Sequence, residues 1–459
     1  MRKLLSIIFL LSIFNLNGQS IYFERGKIID SVKIKNTTET YTLYLPKTFK
    51  ENQPSAIVFI FDPAARGKIG IQPFIESSEK YNYILVCSNN CKNGPNDENF
   101  KFIDNLFKEV LTTFKINQNL IYTAGFSGGS RLASIVAVIS KKIQGVIACG
   151  AGFSSNLSQK PTFETFSYVG LVGDSDMNYQ EMFSVKDWCT RFGIDHEIFT
   201  FEGDHRWPPS SEVLKAFDWL ELQAYKKGLK HVNEDIVEET YQKNYVQAKS
   251  LESSNQIELS VFEYERILRN YSRYFNLDSI SSKVNELKKE KQYRADVKIR
   301  EQIISEETKT TNIFVQKFNS DVKSEILKKN NYEWWRRELN KINFKYLKHE
   351  DSRFRKMVER IRYSIFALSF ETAQEFLREN DIKKAVFCHE LNTEIYPSRP
   401  YTFLRLSMDY ALLDNQESML LNLKRAMEKG FKNKDYILKQ KEFSKYINDA
   451  KFKKILDSF

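Results

Sequence analysis

The chain reads as an α/β domain built on a mostly parallel sheet, followed by an all-helical half. Between about 20 and 228, seven short β-branched or aromatic runs (41–45, 56–61, 83–87, 120–124, 145–149, 168–172 and 196–201) alternate with helical stretches and turn residues. The run Ala56-Ile57-Val58-Phe59-Ile60-Phe61 is apolar throughout, as a strand covered on both faces must be. After Gly228 the texture changes: no glycine occurs from 229 to 429, proline appears only at Pro397 and Pro400, and Lys/Glu-rich segments keep helical spacing.

The length of 459 residues suits two or three domains, and 10 Pro with 17 Gly excludes a long disordered or fibrous chain. At the start, Arg2 and Lys3 precede an apolar run from Leu4 to Leu16, then Asn17, Gly18, Gln19 and Ser20. That order predicts a signal peptide over 1–19. The run is well short of the ~20 residues that span a bilayer, so the mature chain is expected to be exported, periplasmic or secreted, with no transmembrane segment. No cysteine near the cleavage region marks a lipid anchor. The expected organisation is then an α/β domain over 20–228, a helical linker or domain over 229–350, and tetratricopeptide-like hairpins over 351–459.

The hairpin expectation rests on a weak repeat. Ala373, Phe376, Asn380-Asp381 and Ala385 recur about 35 residues later as Met408, Ala411, Asn415-Gln416 and Leu420. Stacked hairpins commonly present concave peptide-binding surfaces, so a protein partner is compatible with this half.

The net charge of +10 is unevenly distributed. Residues 20–228 hold 23 Lys+Arg and 23 Asp+Glu, so the basicity belongs to the helical half, where it forms mixed-sign helix faces. No aromatic-interleaved basic motif points to nucleic acid. Five cysteines are too few for a disulfide scaffold. Cys87 and Cys91 flank a strand-end loop, where a local bridge and two free thiols are both open. Five histidines without HxxxH or CxxC spacing give no support for a metal, and no cofactor is expected.

The sharpest signal is Gly125-Phe126-Ser127-Gly128-Gly129, preceded by a strand and followed by a helix-like stretch. A GxSxG turn in that context is a nucleophile elbow, whose small residues permit a very sharp strand-to-helix turn. An alcohol needs a base held by a third group, and in this arrangement the partners follow in the order Ser, acid, His. The run 168–172 leads into Gly173-Asp174-Ser175-Asp176, and 196–201 leads into Gly203-Asp204-His205-Arg206-Trp207-Pro208. Asp176 is the preferred acid, with Asp174 a helix cap or loop residue. His205 is the one histidine after a late strand and before the helical half; His196 opens a strand and reads as structural.

On GFSGG, the G-x-x-D of 173–176 and the G-x-H-x-W-P of 203–208, the stretch from about 40 to 222 resembles α/β-hydrolase esterases of the feruloyl esterase and polyhydroxybutyrate depolymerase type. The resemblance implies an α/β-hydrolase fold, hydrolysis of carboxylic esters without a cofactor, Ser127 as nucleophile, Asp176 as orienting acid and His205 as general base. Trp207 is then either a residue shaping the histidine loop and substrate site or plain core packing. The chain departs from the pattern at the oxyanion hole: those esterases carry His-Gly where this sequence has Phe61-Asp62-Pro63-Ala64-Ala65-Arg66-Gly67. Two N–H donors are needed. Gly128 is one, and because Pro63 has no N–H the other is expected from Ala64 or Ala65, Ala64 first. Arg66 is a candidate contact for an acidic substrate group or a solvent-facing side chain.

Two rival readings remain at this level: a peptidase on the same fold, since the triad chemistry is shared, and an inactive hydrolase-like protein that binds partners through its helical half. The short stretch 152–165 leaves little room for a lid, which predicts an open cleft suited to bulky or polymeric esters.

Overall fold

The computed structural model describes residues 23–163, 166–324 and 331–459. The expected signal over 1–19 lies outside the described residues. Eight strands form one sheet: β1 (Ile28–Lys33), β2 (Thr40–Tyr44), β3 (Ser55–Phe61), β4 (Tyr83–Ser88), β5 (Ile116–Phe126), β6 (Gly145–Cys149), β7 (Ser167–Gly173) and β8 (His196–Phe201). Their order across the sheet is β1-β2-β4-β3-β5-β6-β7-β8. The pairs β1–β2 and β2–β4 are antiparallel, and every pairing from β4 through β3 to β8 is parallel. This is an α/β-hydrolase sheet. All seven apolar runs form strands. The additional one, β1, escapes the pattern because its sequence IIDSVK does not alternate; Ser31 at φ 57° breaks its register against β2.

Six helices accompany the sheet: α1 (Gly67–Ile71), α2 (Ile75–Tyr81), α3 (Asn96–Thr113), α4 (Gly128–Ser140), α5 (Tyr179–Arg191) and α6 (Ser210–Lys226). Side chains alternate between the two faces of each strand, so neighbouring residues enter different cores. Phe59, Val86, Ile121 and Val146 pack with Leu106, Leu132 and Met182 of α3–α5. Their neighbours Val58, Leu85, Tyr122 and Ile147 pack with Ile71, Phe74 and Phe217 on the other face. Cys87 and Cys91 are both free, and they fall into these two different cores, which explains why the bridge left open by the sequence does not form.

The remainder is helical: α7 (Glu234–Ser253), α8 (Ile257–Tyr271), α9 (Asp278–Leu287), α10 (Lys291–Lys323), α11 (Asn331–Tyr346), α12 (Ser352–Arg378), α13 (Ile382–Ile395), α14 (Pro400–Leu412), α15 (Gln416–Glu428), α16 (Lys434–Leu438) and α17 (Ala450–Asp457). The turns α12–α13 and α14–α15 repeat one device. Asn380 and Asp414 take positive φ, and the side chains of Asp381 and Asn415 then accept N–H groups at the next helix start.

The helical half is fastened to the sheet half at several places. Leu222 and Tyr225 of α6 share a core with α7–α9. Glu197 on β8 meets Arg266 and Arg269 of α8 at 3.4 and 3.1 Å. Burial raises the Glu197 carboxyl, but the two guanidinium groups outweigh it and hold the pKa below its usual value. Arg360 of α12 pairs with Glu307 of α10, Nε to Oε1 2.8 Å, and donates to the Asp174 carbonyl at 2.7 Å. Both charged side chains are nearly fully buried. Removing one partner strands the other charge away from water. Arg360→Ala is therefore expected to destabilise the protein by about 3–5 kcal/mol, and Arg360→Ala/Glu307→Ala by less than the two single losses added together, as read from denaturant unfolding.

Candidate active site

β5 ends at Phe126 and α4 begins at Gly128, so the whole reversal falls on Ser127, at φ 53° and ψ −122°. This is a sparsely populated conformation for a non-glycine residue, costing about 1–3 kcal/mol. Two glycines make it possible. A Cβ on Gly125 would stand 2.1 Å from the Gly129 carbonyl oxygen, and one on Gly129 would stand 2.0 Å from that of Phe61. The Ser127 N–H is held by the Cys149 carbonyl at 2.8 Å.

The loops after β7 and β8 bring Asp176 and His205 to the same edge. His205 Nε2 lies 2.9 Å from Ser127 Oγ, and Nδ1 lies 2.9 and 3.0 Å from the two Asp176 oxygens. The carboxylate can only accept, so Nδ1 carries the proton and Nε2 is left to accept from the serine hydroxyl. Asp176 is 1% exposed and also accepts the Asn178 N–H at 2.8 Å. The His205 ring rests on Phe126 and on Tyr363 of α12, centroids 4.6 and 6.0 Å away. Asp174, the other acid of this loop, turns elsewhere: its carboxylate pairs with Lys356 of α12. His196 bonds the Ile194 carbonyl at the start of β8, away from Ser127.

The oxyanion side differs from expectation. Gly128 stands at the start of α4, where N–H groups lack intrahelical acceptors. Ala64, however, donates its N–H to Asp62 Oδ1 at 2.9 Å, and Ala65 donates to the Asp62 carbonyl at 3.1 Å. Neither N–H points free toward Ser127. Arg66 grips Asp62 through Nε at 2.9 Å and Nη2 at 3.0 Å, with 47% of its side chain exposed. Trp207 Nε1 likewise donates to Asp62 Oδ2 at 3.0 Å, while its ring packs on Phe74 and Phe126.

Asp62 is thus the organiser that sequence reasoning missed. Its signal was present: an acid ending a wholly apolar strand must be buried and must find partners, and Arg66 sits four residues on. Burial raises its carboxyl, but Arg66, Trp207 and the Ala64 N–H prevail and hold the pKa below the ordinary 3.8. Asn93 was also missed. Its N–H bonds the Pro63 carbonyl at 2.8 Å, and its side-chain amide lies against Gly128, with Oδ1 1.9 Å and Nδ2 3.3 Å from where a Cβ of that glycine would be.

Ser127 opens into a cavity of about 480 Å³. Its floor comes from the sheet half, with Asp62, Lys92, Asn93, Arg131 and Asn178 among the lining residues. Its far wall is α12, through Ser364, Ala367, Leu368 and Glu371. Those four fall on one helical stripe, while Met357, Ile361 and Ile365 face the core of the helical half. The open cleft expected from the short 152–165 stretch is therefore corrected: the cover comes from a helix some 200 residues downstream of that stretch.

No family model matches the chain. Among curated proteins, feruloyl esterase D of Neurospora crassa is 25% identical over 157 residues, covering 30% of this chain and 51% of that relative. The chain thus spans about half the length of the relative it matches. Among solved structures, the substrate-bound fluorophosphonate-binding serine hydrolase F of Staphylococcus aureus is 12% identical, covering 43% of this chain and 99% of that one, with a TM-score of 0.37. An esterase of Pyrobaculum calidifontis is 9% identical, covering 45% and 87%, with a TM-score of 0.35.

Two outcomes follow from the loop geometry. Gly129→Ala forces a methyl group into the Phe61 carbonyl and is expected to cost about 1–3 kcal/mol or more, seen as a lowered melting midpoint. Asp62→Ala is expected to destabilise by a constant amount at neutral pH. Because the folded-state pKa of Asp62 is depressed, that difference shrinks as pH falls through 3.8 and then through the lower folded value, as measured by unfolding across pH.

Proposed function

We propose that the protein is an exported serine hydrolase that cleaves carboxylic esters through an acyl-enzyme. The observation that carries the reading is the continuous hydrogen-bonded line from Ser127 through His205 to Asp176, at the mouth of a cavity. The similarity to a protein named feruloyl esterase D supports an ester as substrate, and the charged-then-apolar order of residues 1–19 supports export.

In this reading His205 Nε2 takes the Ser127 proton as Oγ attacks the ester carbonyl, and Asp176 stabilises the imidazolium that forms. The tetrahedral intermediate collapses as His205 returns the proton to the leaving alcohol. Water, deprotonated by the same nitrogen, then releases the acid and restores Ser127. The oxyanion needs two donors. Gly128 N–H is one. With Ala64 and Ala65 both engaged by Asp62, the Asn93 side-chain amide is the second, since it touches Gly128 and makes no side-chain hydrogen bond with the described residues.

Labelling with a fluorophosphonate and turnover of p-nitrophenyl and feruloyl esters test the reading. Ser127→Ala should abolish both; unchanged turnover by that variant would overturn it. Asn93→Ala should lower kcat by about 10²-fold with KM little changed, the signature of a donor used in the transition state.

A further inference from the structure

The cavity that opens from Ser127 has two unlike sides. One is polar: the loop after β4 and the start of α3 supply Lys92, Asn93 and Asn96. The other is apolar and comes from three separate parts of the chain: Met177 on the loop after β7, Leu132 and Ile135 of α4, and Ala367 and Leu368 of α12. The charged groups of the lining are served elsewhere. Asp62 is held by Arg66 and Trp207, Arg131 is paired with Glu181 at 2.6 and 2.8 Å, and Lys92 and Glu371 are exposed to water.

The apolar side is held in place on both helices. Ile135 is 3% exposed, yet it packs in neither core of the sheet, where Leu132 and Val136 of the same helix do pack; it borders the cavity instead. Opposite it, Leu368 leans on the core of the helical half and also reaches the cavity. Lys356 and Arg360 fasten α12 to Asp174, and the ring of Tyr363 meets His205, so this wall stands at a set place relative to Ser127. From Ser127 to Ile135, α4 advances eight residues, about 12 Å at about 1.5 Å per residue. An extended alkyl chain advances roughly 1.3 Å per carbon, so about eight or nine carbons cover that length.

We propose that Ala367 and Leu368 are specificity-determining residues: with Leu132 and Ile135 they receive the apolar group of the ester, and they favour an aliphatic chain of about six to eight carbons on one side of the ester bond. The driving force is the withdrawal of that chain from water, and the wall that completes the withdrawal belongs to the helical half. Chain-length selection is thus a property of the two halves together. The inference rests on the serine-hydrolase reading for the word ester, but the apolar subsite rests on the cavity alone.

The test uses two series: p-nitrophenyl acetate, butyrate, hexanoate, octanoate and dodecanoate, with the chain on the acyl side, and methyl, butyl, hexyl and octyl acetate, with it on the alcohol side. Hydrolysis by the full-length protein is followed as kcat/KM, and binding to the Ser127→Ala variant is followed in parallel by calorimetry. In one series each added methylene should raise kcat/KM about two- to fourfold, and on the acyl side the gain should stop beyond about eight carbons. Ala367→Trp, which puts an indole into the chain's space, should cut the ratio of the octyl or octanoyl member to the shortest member about tenfold or more. Leu368→Ala, which removes part of the wall, should lower the gain per methylene. Glu375→Trp, exposed on the same helix and outside the cavity lining, should leave the ratio intact.

Turnover that does not rise with chain length in either series overturns the inference, as does a rise that survives Ala367→Trp. If Ala367→Trp fails to fold, Leu368→Ala decides, and an unchanged gain per methylene in that variant overturns the inference. Chain-length-dependent binding that Leu368→Ala weakens, without any turnover by the unaltered protein, leaves the subsite standing and overturns the hydrolase reading. Turnover indifferent to chain length does the reverse.

Discussion

The site depends on one backbone reversal. β5 and α4 meet at Ser127 with their chains so close that Gly125 and Gly129 are in van der Waals conflict with any side chain larger than hydrogen. The strained φ of Ser127 is tolerated because both flanks are anchored: β5 is central to the sheet, and the buried residues of α4 pack against it. A side chain placed on that reversal is lifted clear of its own strand and helix. The loops after β7 and β8 then need only reach the same edge to bring Asp176 and His205 to it, which the parallel register of β5 to β8 ensures.

Around this point the chain solves two problems with one buried acid. The loop after β3 lacks the glycine that would let it bend freely. Asp62 shapes it instead, accepting the Ala64 N–H and both Arg66 nitrogens, and taking Trp207 from the far side of the sheet edge. The loop is tied at four points as a result. The cost is that its N–H groups are engaged, whereas the side-chain amide of the neighbouring Asn93, tied to the same loop through Pro63, lies against Gly128. Arg66 and Trp207, candidates for substrate contact by sequence, both keep Asp62 satisfied, and a buried carboxylate without such partners would be costly.

The helical half is part of the cleft. Asp174, an alternative triad acid by sequence, holds Lys356 and so fixes α12 over the cavity. Residues two apart on one loop therefore serve different halves of the molecule: Asp176 faces His205 and Asp174 faces α12. The stripe of α12 that touches the cavity has an ordinary helical spacing, and nothing in it distinguishes a cleft wall from a solvated face until the packing partner is known.

What could be read from the sequence was what local chemistry determines. Apolar runs that must be covered on both faces became strands, the small residues around Ser127 marked a turn too sharp for side chains, and the order of Ser127, Asp176 and His205 along the chain followed from strands ending at one edge. Tertiary structure alone decided the rest. Whether Ala64 has a free N–H, whether Cys87 can reach Cys91, and what covers Ser127 all depend on groups far apart in sequence: Asp62 against Trp207, one sheet face against the other, and α12 against the loop after β7. Hydrogen bonds and burial are pairwise, and a linear pattern records only one member of each pair.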